Sequence, residues 1–91
     1  MDEVEVAPSG PATFEVTVRQ QGGRTSHRVT VPDGYLAGVG VAGADPAQVV
    51  RESFAFLLER EPATSIMGAF DLPTIARFFP EYPGELRRRL G

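Results

Sequence analysis

The chain has no cysteine, no lysine, no tryptophan and a single histidine, His27. Without cysteine, disulfides and thiolate metal sites are excluded, and the redox compartment is left open. One histidine excludes a multi-histidine metal centre within one chain. No apolar run approaches the roughly 20 residues that cross a bilayer as a helix, so no membrane association is expected. Met1-Asp2-Glu3-Val4-Glu5 is acidic where a secretory leader is basic and then apolar, which makes a cytoplasmic protein the expectation. The net charge of -3 runs against general nucleic-acid binding, which brings a basic excess. The lack of lysine has two readings. Alongside abundant Ala, Gly and Pro it fits a genomic base-composition bias, but arginine alone also suits bidentate recognition of anions. The arginines are scattered apart from one run, Arg87-Arg88-Arg89.

What is present describes one domain. A chain of 91 residues with 42% hydrophobic content supports a single modest core and not two. The clearest element begins at Asp45-Pro46-Ala47-Gln48. Asp45 is a good N-cap, because its carboxylate accepts free backbone N–H groups. Pro46 suits the first helical position, and Gln48 stands where a capping box reaches back to the cap. The apolar residues Val50, Phe54, Leu57 and Leu58 recur at helical spacing toward Glu61, and Pro62 forces the stop. Such a helix needs surfaces to pack on.

Residues 1–11 carry three acids, two prolines and only short apolar side chains, and read as a flexible lead-in to a domain over 12–91. Thr13 to Arg19 and Thr25 to Val31 both alternate, with Phe14, Val16, Val18, His27, Val29 and Val31 sharing a face. A turn centred on Gly22-Gly23 pairs Gln21 with Arg24, Val18 with His27, Val16 with Val29 and Phe14 with Val31. Pro32-Asp33-Gly34 ends the second strand, and Val39 to Val41 is long enough for a short third strand. The glycines at 38, 40 and 43 lack the larger βαβ unit of a dinucleotide fingerprint, and read as a loop or edge strand. Beyond Pro62, Thr64 or Ser65 caps a short turn. Asp71 caps a helix with Ile75, Phe78 and Phe79 on its apolar side, Pro80 ends it, and Pro83 opens a last piece carrying Leu86 and Leu90.

Few residues suggest chemistry. His27 falls on the apolar face near the hairpin turn, where a half-exposed structural role outweighs catalysis, since a general base needs an orienting partner. Glu59, Glu61, Glu81 and Glu85 sit at helix ends and read as solvated charges. Ser53 faces the apolar side of the main helix and reads as a small residue permitting close packing. No catalytic, cofactor-binding or metal-binding residue is expected. Arg87, Arg88 and Arg89 complement a helix C-terminus, or else contact phosphate or an acidic partner. With Phe78, Phe79 and Tyr82 before them, they form the candidate partner-binding set, and arginine interleaved with aromatics also suits stacking on single-stranded bases.

The order strand, glycine turn, strand ending in Val31-Pro32-Asp33-Gly34, loop, then Asp45-Pro46-Ala47-Gln48 resembles the N-terminal part of HicB-type antitoxins. That resemblance implies a small sheet with a helix against it, a small toxin as partner, oligomerisation and often a DNA-binding segment. The chain departs from the pattern at Tyr35-Leu36-Ala37-Gly38, where the family has a more continuous third strand, and shows no evident strand after the helix. Ser65 to Leu90 matches no DNA-binding pattern. The expectation is therefore an α+β domain, with an antiparallel hairpin on one long helix followed by short C-terminal helices. It would act as a non-enzymatic interaction or regulatory module with a protein partner or as a homodimer. The alternative is a single-stranded nucleic-acid binder. An exposed sheet edge and a small core both favour association.

Overall fold

The computed structural model describes residues 3–20 and 22–90. Its strands are β1 (Glu3–Pro8), β2 (Thr13–Gln20), β3 (Gly23–Thr30) and β4 (Ala69–Asp71). Its helices are α1 (Tyr35–Gly38), α2 (Pro46–Leu58), α3 (Leu72–Phe78) and α4 (Tyr82–Leu90), with a 3-10 turn over Ala63–Ser65. The sheet order is β1-β2-β3-β4, with β4 parallel to β3 and the other pairs antiparallel. This is an α+β fold.

The hairpin has the expected faces but not the expected register. Gln20 pairs with Gly23, Val18 with Thr25, Val16 with His27 and Phe14 with Val29. Gly22 takes a φ of 81° at the turn. Gln21, which the glycine-pair turn sets against Arg24, lies outside the described residues, and Arg24 pairs with Arg19. The pairing has slipped by two residues. Because side chains alternate with period two, that slip keeps Phe14, Val16, Val18, His27 and Val29 inward in either register. On the outer face it brings Arg28 directly across from Glu15, where the pair closes at 2.8 Å.

The segment read as a lead-in is, over Glu3–Pro8, a sheet strand. Val4 and Val6 turn toward the core, half-buried, while Arg19 crosses the outer face to Glu3 at 3.1 Å and Glu5 at 2.9 Å. Arg51 of α2 also donates to the Val4 carbonyl at 2.8 Å. No third strand forms over Val39–Val41. The chain makes the single turn of α1 instead, and Val41 N–H donates to the Leu36 carbonyl at 2.8 Å. The strand that lines the far edge is β4, after α1 and α2, because a parallel partner for β3 needs a long crossover.

Asp45 caps α2 by accepting from Ala47 N–H at 3.1 Å. Gln48 does not complete a capping box, since its amide donates along the helix to Glu52. The helix ends at Leu58, three residues short of Glu61. It is buried on two sides. Phe54 meets His27 and Phe70 from the sheet, at 5.2 and 6.1 Å between ring centroids. Phe56, about 200° further round at 100° per residue, meets Tyr82 of α4 at 5.4 Å and Phe79 at 5.9 Å. The surfaces that α2 needs to pack on are supplied by the sheet and by α4.

Two polar groups of this core, Ser53 and Tyr82, are bonded to each other. Ser53 Oγ donates to the Val49 carbonyl at 2.7 Å and lies 2.6 Å from Tyr82 Oη. A serine has one hydroxyl hydrogen, so Tyr82 is the donor in that second bond. Ser53 is thus more than a small packing residue; it anchors α4 to α2.

Candidate interaction groove

An apolar groove of about 330 Å³ opens where α2 ends and α3 begins. Leu57 and Glu61 form one wall, Ser65, Ile66, Met67 and Phe70 the floor and rim, and Ile75, Phe78 and Phe79 of the α3 segment the other wall. Its construction follows from local chemistry. The helix has ended at Leu58, and the 3-10 turn that follows Pro62 brings Ile66 into the core. Met67 is left outside, 44% exposed. Its carbonyl is held from below, 2.8 Å from His27 Nδ1. Since a carbonyl only accepts, Nδ1 carries the proton, and Nε2, 2.8 Å from Thr25 Oγ1, accepts from that hydroxyl in the neutral ring. His27 is 3% exposed and both ring nitrogens are engaged, so it is a fully buried structural residue and not a half-exposed one.

On the other wall Asp71 caps α3, accepting from Thr74 N–H at 3.1 Å and from Thr74 Oγ1 at 2.7 Å. Leu72 and Ile75 point into the core, and Phe78 is left 66% exposed. Met67 and Phe78 are the large hydrophobic side chains that stand exposed among the described residues, and both line this groove. A broader depression of about 420 Å³ over Ala12, Val31, Pro32 and Leu36 has neither.

The structure divides the candidate partner-binding residues. Phe78 stands at the groove, and Phe79 lines it while packing edge-on against Phe56 with an interplanar angle of 83°. Tyr82 is fully buried, and burial pushes its phenol well above the usual tyrosine range. The three arginines leave α4 in different directions, each to a group of this chain. Arg87 donates to the Val39 carbonyl at 3.1 Å, passing over Gly40, where a Cβ would come within 3.0 Å of Arg87 Cδ. Arg88 pairs with Glu85 at 2.7 Å. Arg89 grips both oxygens of Glu59 at 2.8 and 2.9 Å and reaches Glu85 at 3.3 Å. The hydrogen bond from Arg89 holds the Glu59 carboxyl below the usual range, and that from Arg88 does the same for Glu85. Arg60 lies over the Phe56 ring, 3.7 Å from its centroid, and pairs with Glu59 and Glu81. The stacked aromatic and arginine platform expected of a single-strand binder is thus not assembled by these six residues.

Leu57 and Glu61 read in the sequence only as a packing position and a solvated charge, and nothing there marked Ile66, Met67 or Phe70 as lining a site. They come from α2, the segment that follows it and β4, and only the crossover to β4 brings them together. Among the described residues no cluster of three or more acidic, histidine or cysteine side chains is arranged to hold a metal ion, and no helix is long and apolar enough to cross a membrane. No protein-family model matches the chain, and no match emerges among curated proteins or solved structures.

Proposed function

We propose that this chain is a non-enzymatic protein–protein interaction or regulatory module that receives its partner at the groove between α2 and α3. One observation carries the reading. Of the large apolar side chains, the two left exposed among the described residues sit together on one concavity, where a scattered pair would carry no meaning. The sheet edge that could recruit a partner strand is blunted instead. β1 carries Glu3, Glu5 and Pro8, and Arg51 covers one of its carbonyls. An antitoxin-like role, binding a small protein, is one form of this proposal.

The test places a photo-crosslinking residue at position 78 in the native cells, and in a control at the exposed Ser26 on the opposite side of β3. A stoichiometric adduct formed from position 78, surviving nuclease and absent from position 26, supports the reading. Equal labelling from both positions, or none from position 78, removes it.

A further inference from the structure

The groove carries one charged lining residue, Glu61, and its carboxylate has no hydrogen-bond or ion-pair partner among the described residues. That sets it apart from its neighbours. Glu52, Glu59, Glu81 and Glu85 all pair with Arg60, Arg88 or Arg89. Arg77 on α3 does not supply the missing cation from the groove wall. It does not line the groove, and no ion pair joins it to Glu61. The site therefore presents apolar walls with a single unneutralised negative charge.

Its size argues about the occupant. A stable dimer covers roughly 800 Å² on each partner, about a sixth of the 5163 Å² surface of this chain. Two exposed apolar side chains do not furnish the apolar centre of such a patch. A cavity of about 330 Å³ lies instead at the small end of ligand-sized pockets, which suits a few anchoring side chains of a short segment. Met67 favours such binding, because its unbranched thioether reshapes around whatever enters.

Resting on the docking role proposed above, we infer that the occupant is a short peptide segment of another protein, with apolar anchors followed or preceded by a lysine or arginine that pairs with Glu61. The apolar residues seat between Met67 and Phe78, and the cation meets the carboxylate at the rim. Charge complementarity then selects among apolar segments, while the walls supply most of the affinity.

The experiment selects a displayed library of random dodecapeptides on the full chain, and repeats the selection on Glu61→Arg. Enrichment of apolar peptides with a basic residue is expected on the wild type, with a switch to acidic residues on the variant. A peptide from the first selection should bind about two- to five-fold more weakly to Glu61→Gln, the range of an exposed ion pair. It should bind at least about ten-fold more weakly to Phe78→Glu, as for a central anchor. Phe78 is exposed, so that variant keeps the core intact, which circular dichroism verifies. Apolar peptides lost with Phe78→Glu but indifferent to charge at position 61 overturn the basic-segment inference and leave the groove as a docking site. A concentration-dependent dimer abolished by Phe78→Glu, with no peptide enriched, overturns it in favour of a second copy. Peptides whose binding ignores Phe78→Glu overturn both readings.

Discussion

Ser53 and Tyr82 permit a quantitative test of how α4 is held. Both are fully buried, their oxygens are 2.6 Å apart, and the tyrosine donates because the serine proton is committed to the Val49 carbonyl. Ser53→Ala removes the acceptor and leaves the Tyr82 hydroxyl buried with an unused proton. That costs about 1–3 kcal/mol. The Val49 carbonyl keeps its place in the helix ladder and adds little. Tyr82→Phe removes the donor but strands no proton, because Ser53 still donates to Val49. Its cost is the net value of one hydrogen bond, about 0.5–1.5 kcal/mol. The double variant leaves no orphaned donor, so it should be less destabilised than the sum of the two, and close to or milder than Ser53→Ala alone. Urea unfolding at constant m reads the three differences. In a domain of this size each kcal/mol moves Tm by about 4–8 °C, so thermal unfolding checks them independently. Additivity within about 0.5 kcal/mol, or a larger loss from Tyr82→Phe than from Ser53→Ala, would refute the assigned donor and the coupling.

Two other outcomes concern His27 under the groove and the ion-paired carboxylates of Glu59 and Glu85. His27→Leu should lower stability by about 1–3 kcal/mol, because the part-buried Met67 carbonyl and the Thr25 hydroxyl both lose their partner. Hydrogen exchange should then quicken at the Arg28 amide, which donates to the neighbouring Gly68 carbonyl at 2.7 Å; unchanged protection there would show that His27 does not hold the rim. Glu59 and Glu85 have carboxyls lowered in the folded state, so they bind protons less readily folded than unfolded. Their stabilisation is complete above the unfolded range, near pH 4.3, and is lost as pH falls through the lowered folded range. Replacing both by Gln should flatten the decline in Tm between about pH 5 and pH 3, and identical declines in the two proteins would show that these ion pairs contribute nothing to stability.

The elements that could be read in advance are those whose stabilising chemistry is local. Asp45-Pro46 specifies a helix start through a carboxylate two residues from the N–H it accepts, and Asp71 does so over three. Alternation specifies which faces of β2 and β3 turn inward, but it has period two and is blind to a slip of two residues, so the pairing of Val16 with His27 was not legible. The strand at Glu3–Pro8 shows its alternation at Val4 and Val6, yet those valines become core only because α2 packs above them and Arg51 reaches their strand. β4 has three residues, too few to show any period, and forms because β3 offers an unpaired edge at the end of the crossover. Arg87, Arg88, Arg89 and Tyr82 looked alike in sequence as surface candidates. Their partners at Val39, Glu85, Glu59 and Ser53 lie between 3 and 48 positions away, and most of those distances close only on folding. The exposure of Met67 and Phe78 was decided the same way. Helical and strand spacing state that a residue is apolar and which way it faces, whereas its burial depends on whether another element arrives to cover it. Ile66 and Ile75 are covered. Met67 and Phe78 are not.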